Sequence, residues 1–460
     1  MASLLRMATA TAVELARDHC LAPSRTLDAP LEGASGRYTR LFEDLPPLSG
    51  DEERLLGLGV AGGVCDGGAD CEDARDVAAG WPFFGQLIAH DITADRSELA
   101  HHADQEHLLN YRTPRANLEC LYGAGPVGSP FLYRRDDPAK LLVGRNDEGA
   151  EADLPRNPEG IALIGDPRND VHLFMSQLHV AMLRVHNGLV DTLRDGGAPP
   201  AKAFAEARRE TTWHYQWAIV EDYLPTLAGR ELVDEILAEG PRHYRVEGPP
   251  RIPLEFADGA FRYGHSQIRD EYVLNDESGE HRLFPDLLGF GSVPAARTVD
   301  WSHFFDVPGR PPAQRAKLID GQLARSLIEL PAAITGESDE QAYRSLAGRD
   351  LERGHAYGLP SGESVAEAMG EDPLGPEDVG LADSGWDSQT PLWFWVLREA
   401  AVRGDGERLG PVGGRIVAEV LLGILDADPS SYRAMDPAWR PSLRARDGSF
   451  ALTDILVPVD

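Results

Sequence analysis

A few side chains in this sequence stand where their chemistry can be used. His90 lies in the run Trp81-Pro82-Phe83-Phe84-Gly85-Gln86-Leu87-Ile88-Ala89-His90-Asp91-Ile92-Thr93. Phe83, Phe84, Leu87 and Ile88 recur there at helical spacing, so a short helix turns one apolar face inward. Gln86 precedes His90 by one helical turn, which stacks the two side chains on the same face. An imidazole in an apolar wall with an amide as escort is the equipment of a general base. It is equally the description of a core histidine satisfied by its neighbour, and the stretch alone leaves both readings open. Thr113, Arg115, Asn117 and Glu119 alternate along what reads as an extended segment. Three of these side chains offer oxygens and the backbone adds carbonyls, the supply a hard cation such as Ca²⁺ needs. His101, His102 and His107 do not have the spacing of a compact metal site and predict an exposed helical turn instead.

These residues need elements to hold them. Pro82 suits the first turn of the His90 helix, where its missing N–H is no loss. The acidic, Gly-rich residues 61–79 read as a loop grading into that helix. Gly165-Asp166-Pro167-Arg168-Asn169-Asp170 opens the longest helical pattern, with Leu173, Phe174, Leu178, Met182, Val185 and Leu189 on more than one face. Asn169 or Asp170 is its expected N-cap. His172, His179 and His186 follow at the spacing of a core stripe. A second long helix is expected over 201–223, closed by Pro225, then a Pro-rich connection at 240–260 and a helix-like turn at Phe261-Arg262-Tyr263-Gly264-His265-Ser266. Further helices are expected at 313–329, 339–351, 362–369, 390–402 and 413–426. Residues 37–47 read as an ordered strap ended by Pro46-Pro47, preceded by a lead-in over 1–36. Strand signals are scarce and no repeat appears. The fold class is therefore mainly α: one large helical domain over 37–460 with irregular loops and very little β.

Composition narrows the partners. Acidic residues number 75 against 44 basic, a net charge of −31, which disfavours nucleic acid and anionic membrane surfaces. No apolar run reaches the ~18 residues of a transmembrane segment, and the first residues meet Glu14 before any secretory apolar stretch forms. A soluble protein, cytoplasmic rather than secreted, is expected. Four cysteines are too few for a disulfide framework; Cys65 and Cys71 flank a loop and can pair under oxidising conditions, with free thiols the expected state.

Four stretches in order carry a resemblance: FGQLIAHDIT at 84–93, GDPRND at 165–170, FRYGHS at 261–266, and Asp350-x-x-Arg353 followed by Gly358-Leu359-Pro360. Together they resemble the animal-type haem peroxidase family of the peroxidase–cyclooxygenase superfamily, most of all its compact bacterial members, over roughly residues 37–455. The resemblance implies a haem peroxidase that reduces H₂O₂ and oxidises a small donor (halide, thiocyanate or phenol) through a ferryl intermediate. It implies His90 as distal histidine, Gln86 as distal glutamine and Arg168 as distal arginine. His265 becomes the proximal ligand of haem iron, and Arg262 and Arg353 partners of the haem propionates. Asp91, Thr113, Arg115 through its carbonyl, Asn117 and Glu119 become ligands of Ca²⁺. The core-histidine reading of His90 gives way at this point.

Departures from the family pattern are also informative. Ala89 and Val171 stand where several members form ester links to haem, so a non-covalent haem b is implied. Asp350 stands where other members place an asparagine against the proximal histidine. The alternative reading, a haem-dependent fatty-acid dioxygenase of the cyclooxygenase kind, is disfavoured: Arg262 stands where the cyclooxygenase branch carries its radical tyrosine, and Arg168 is retained.

Overall fold

The computed structural model describes residues 36–68, 72–94, 108–336, 340–443 and 450–457. All but the last residue of the 1–36 lead-in, with Cys20 in it, and Cys71, His101, His102 and His107 lie outside the described residues, so neither the histidine turn nor the Cys65–Cys71 pairing is described; Cys65 is buried as a free thiol.

The described residues are 47% helix and 8% strand, the mainly α fold expected. A short helix α1 (Glu52–Gly59) is capped by Asp51, whose carboxylate accepts from Arg54 N–H. Strand β1 (Asp73–Ala78) leads into α2 (Trp81–Ile92), which carries Gln86 and His90. Pro82 occupies the first turn, and Phe83, Phe84, Leu87 and Ile88 are buried. A 3₁₀ turn (Pro167–Asp170) then precedes α3 (Leu173–Asp195), with α4 (Pro200–Ala218) packed along it. After α5 (Arg230–Glu239), a 3₁₀ turn (Ala260–His265) presents His265. The hairpin β2 (Glu271–Val273) with β3 (Glu280–Arg282) and the strand β4 (Arg315–Lys317) follow. Four helices complete the core: α6 (Leu346–Ala356), α7 (Gly362–Met369), α8 (Leu392–Arg403) and α9 (Pro411–Ala427), the last buried almost all round.

Several boundaries differ from those expected, each for a local reason. Residues 73–78 are strand, not the run-in to a helix, because they pair antiparallel with β4. That pairing also removes the expected 313–329 helix, of which only Arg325–Ile328 is helical. The 339–351 pattern breaks at Ser345, which accepts from Gly348 N–H as the cap of α6. Pro225 does not close the second long helix. The chain passes through a π turn at Ile219–Tyr223 and stays helical to Ala228, ending at Gly229 with φ of 86°. Neither Asn169 nor Asp170 caps α3; His172 holds the cap position, and Leu173 N–H finds Leu287 O at 2.9 Å.

Two packing devices set the site. The strap at 37–47 is tied down by Glu255, whose carboxylate accepts from Leu41 N–H at 3.0 Å and Phe42 N–H at 3.4 Å. Arg40 in turn donates to the carbonyls of Tyr357 and Gly358, just past α6. The second device brings α2 to the His265 turn. A Cβ on Gly85 would lie 2.4 Å from the hydroxyl of buried Tyr223, which is hydrogen-bonded to the Tyr263 hydroxyl at 2.9 Å. Only glycine lets α2 approach that pair, and Tyr263 sits between Arg262 and His265. Gly85→Ala is therefore expected to cost about 1–3 kcal/mol through overpacking, read as a lower unfolding midpoint in urea. Tyr223→Phe in the same chain, by removing the clashing oxygen, restores part of it.

Candidate active site

On the α2 side, the hydrogen bonds differ from a Gln86–His90 pair. Gln86 Oε1 lies 3.0 Å from His172 Nε2, on the chain entering α3. The amide that meets His90 is Asn169, with Oδ1 2.7 Å from His90 Nδ1. Asn169 is fully buried, and its Nδ2 lies 3.0 Å from His179 Nδ1. The expected escort is thus the wrong amide: helical spacing stacks Gln86 and His90, but a residue from the next segment reaches the ring first. Asn169 directly follows Arg168 in the sequence, and that adjacency was its only signal.

Arg168 closes the C-terminal end of α2. It donates to the carbonyls of His90 at 2.9 Å and Thr93 at 2.7 Å, satisfying acceptors the helix leaves open. Its guanidinium also grips Asp166, at 3.0 Å from Nε and 2.8 Å from Nη2. Arg112 binds the same carboxylate at 2.6 Å. Burial would raise the Asp166 pKa, but Arg168 and Arg112 more than offset it and hold the carboxyl well below its ordinary value. Arg112 gave no sequence signal, because its pairing with Asp166 of the 165–170 motif spans distant segments.

Across from α2, Asp350 organises the other wall. Its side chain is fully buried on α6, with Oδ2 2.6 Å from His265 Nδ1 and Oδ1 2.8 Å from Arg262 Nη1. Burial pushes its pKa up; His265 and Arg262 overcome this and leave it lowered. Arg262 reaches back to Asp258 at 2.8 Å and to Ala257 O at 3.1 Å, so its fork holds the carboxylates behind His265. Arg353 lies 3.8 Å from Asp258 and donates to the Tyr357 hydroxyl at 3.0 Å. An ion pair of Asp350 with Arg353 is therefore not what the fold builds. Among the described residues, His265 Nε2 has no hydrogen-bond partner. An imidazole fixed by a carboxylate through Nδ1, with Nε2 unengaged, is the arrangement of a metal-ligating histidine. The residues fit an axial haem ligand.

The 113–119 segment wraps Asp91. Leu118 N–H and Cys120 N–H donate to its two oxygens at 2.8 and 3.3 Å. Asp91 is fully buried, and desolvation first, with Glu119 adding, pushes its pKa up to about 6 against those two N–H donors and Arg112. Ala116 and Leu118 both adopt positive φ, 48° and 57°, an uncommon choice for residues with side chains. The segment is curled rather than extended as the alternation suggested. Glu119 Oε2 accepts from Thr113 N–H and Asn117 Oδ1 from Glu119 N–H, and Arg112 approaches Glu119 to 3.5 Å. Two carboxylates with hydroxyl, amide and carbonyl oxygens are donor chemistry suited to Ca²⁺.

The fold is a helical domain in which a turn packed against α2 presents a carboxylate-held histidine. The model of the animal haem peroxidase family matches residues 131–361, a span that includes Arg168, Arg262, His265, Asp350 and Arg353. The chain belongs to that family. It is 26% identical over 287 residues to chorion peroxidase of Drosophila melanogaster, covering 58% of this chain and 34% of that protein. Peroxidase mlt-7 of Caenorhabditis elegans is 31% identical over 211 residues, 45% of this chain and 27% of that protein. The chain thus spans about a third or less of the length of these curated relatives. Among solved structures, peroxidase A from Dictyostelium discoideum superposes with a TM-score of 0.66 at 14% identity, covering 92% of this chain and 93% of that one. A fatty acid alpha-dioxygenase of Arabidopsis thaliana gives 0.61 at 14% identity, covering 87% and 73%. These two likenesses establish the fold.

The Asp350 contact has a measurable consequence. A carboxylate accepting from His265 Nδ1–H draws the imidazole toward imidazolate more than an amide carbonyl does. On haem-loaded protein, Asp350→Asn is expected to raise the Fe(III)/Fe(II) midpoint potential in spectroelectrochemistry. An unchanged or lower potential would contradict the assignment.

Proposed function

We propose that the chain is a haem peroxidase reducing H₂O₂ to water with two electrons from a small donor, a halide, thiocyanate or phenol. The observation that carries this reading is His265, fixed through Nδ1 on Asp350 and unengaged at Nε2 among the described residues. His265 would hold the haem iron. Arg353 and Arg262 would face the propionates, Arg262 keeping its grip on Asp350. Bound haem supplies the redox chemistry. Ala89 and Val171 offer no carboxylate for an ester, which supports a non-covalent haem b. The peroxidase domain is proposed to run over 37–460.

The work of the protein's own residues is proton movement and charge placement. His90 takes a proton from one oxygen of H₂O₂ and returns it to the departing oxygen, which leaves as water. Arg168 offsets negative charge as the O–O bond polarises. It also anchors the C-terminal end of α2, so the same guanidinium keeps His90 in place. Gln86, held by His172, orients water or a halide. Asp91, Thr113, Arg115, Asn117 and Glu119 would bind Ca²⁺ next to His90 and keep α2 in register.

A fatty-acid dioxygenase is the second reading, supported by the fold likeness to the Arabidopsis enzyme. Arg262, where the cyclooxygenase branch carries its radical tyrosine, and the retained Arg168 favour the peroxidase. Side-by-side assays of H₂O₂ with halides, thiocyanate and phenols, and of O₂ with a fatty acid, separate the two. No helix among the described residues is long and apolar enough to cross a membrane.

Two outcomes are expected. His90→Ala retains a haem spectrum but reacts with H₂O₂ at least ~10²-fold more slowly, the usual loss for a general base; a wild-type rate in stopped flow refutes the role. Exhaustive chelation perturbs the Soret band and lowers activity, and added Ca²⁺ restores both. Active protein that elemental analysis shows to be calcium-free refutes the metal site.

A further inference from the structure

The proposed base has a partner beyond Asn169. His179 lies on α3 with 1% exposure, and its Nδ1 is 3.0 Å from Asn169 Nδ2. The other end of the same amide, Oδ1, is 2.7 Å from His90 Nδ1. An amide oxygen only accepts and an amide nitrogen only donates. With the amide in this orientation, His90 Nδ1 carries a hydrogen, and in the neutral ring Nε2 carries none. His179 Nδ1 must itself be bare to accept from Asn169. Burial agrees with this, holding His179 neutral with a pKa pushed down to about 4.

We propose that His179 is a positioning residue that, through Asn169, holds His90 in the Nδ1–H tautomer whose Nε2 can accept a proton. Only this tautomer serves a base that works through Nε2; the other presents an N–H there. An Asn169 bonded to His90 alone turns over when one ring moves its proton between nitrogens. Bonded to both rings, it turns over only if both change together. All three side chains are at least nine-tenths buried, so water does not stand in for a missing partner without cost. Nothing in the core-stripe spacing of His172, His179 and His186 distinguishes His179. His186 bonds the Tyr122 hydroxyl and Ala139 O, and His172 bonds Gln86.

The proposal rests on the reading of His90 as the base, and its test separates the two. ¹⁵N-histidine NMR is run on haem-loaded protein in its diamagnetic ferrous carbon monoxide form, with the His90 signals assigned by their loss in His90→Ala. Wild type is expected to show a protonated Nδ1 and a bare Nε2 at His90, and His179→Phe a mixture of tautomers or the reverse. In stopped flow His179→Phe is expected to react with H₂O₂ roughly fivefold more slowly, the worth of about one net hydrogen bond. Adding Asn169→Asp to His179→Phe recovers most of that rate, because a carboxylate accepts from Nδ1–H whichever way it turns.

Three results overturn the proposal. One is a protonated Nε2 at His90 in wild type. A second is an unchanged tautomer and rate in His179→Phe. The third is a rate loss with unchanged tautomer that Asn169→Asp does not recover, which assigns His179 to packing alone. If His179→Phe does not fold, the wild-type tautomer decides. A wild type that shows the expected tautomer but does not react with H₂O₂ refutes the proposed function and leaves the relay standing.

Discussion

A carboxylate with no access to water has to be compensated where it sits, and Asp350 is the case on which the wall around His265 turns. Its charge is kept by one imidazole and one guanidinium, each within 2.8 Å. Leaving it unpaired would cost several kcal/mol. The requirement fixes the ring of His265 through Nδ1, and among the described residues its Nε2 has no hydrogen-bond partner. It also recruits Arg262, whose remaining contacts with Asp258 and Ala257 O brace the turn from behind. One buried charge thus orients His265, Arg262 and α6 relative to each other.

The same logic is repeated on the α2 side with the signs arranged differently. Asp166 is shared by Arg112 and Arg168, so one buried anion carries two cations. Arg168 is then free to spend its remaining donors on the open carbonyls at the end of α2. Arg112 reaches Glu119 in the segment that wraps Asp91. His90, the Arg168 guanidinium and the candidate calcium loop are therefore one connected unit rather than three neighbouring features. Disturbance at the loop has a physical route to His90, through Asp91 itself and through the Arg112–Asp166–Arg168 chain.

Glu255 and Gly85 hold these two halves in relation. The strap is far from the chemistry in sequence, yet Glu255 binds its backbone only a few residues before the His265 turn, and Arg40 caps the chain leaving α6. Gly85 admits the Tyr223–Tyr263 hydroxyl pair against α2, one residue from Gln86. Neither residue has reactive chemistry to offer. Each removes an obstacle, an unpaired backbone N–H in one case and a Cβ in the other, that would keep the site's walls apart.

Much of this was legible in the residues alone. The apolar periodicity of 81–92 and 173–190 marked the two helices that matter, because burial of one face imposes the helical period on sequence. The order of four motifs named the family and the residue types of the site. What sequence could not supply was who touches whom. Gln86 and His90 stack on one helix, but side-chain pairing is decided by whichever donor arrives from elsewhere, and Asn169 and His172 arrived. Asp350 could have paired three residues on with Arg353; the turn at 260–265 brought His265 and Arg262 closer. Strands β1 and β4 were invisible because a short pairing between distant segments leaves little periodic trace. Helices are written locally, since their hydrogen bonds close within a turn. Strand pairs, buried ion pairs and the amide relay from His179 to His90 close across tens to hundreds of residues, and only the folded chain brings their ends together.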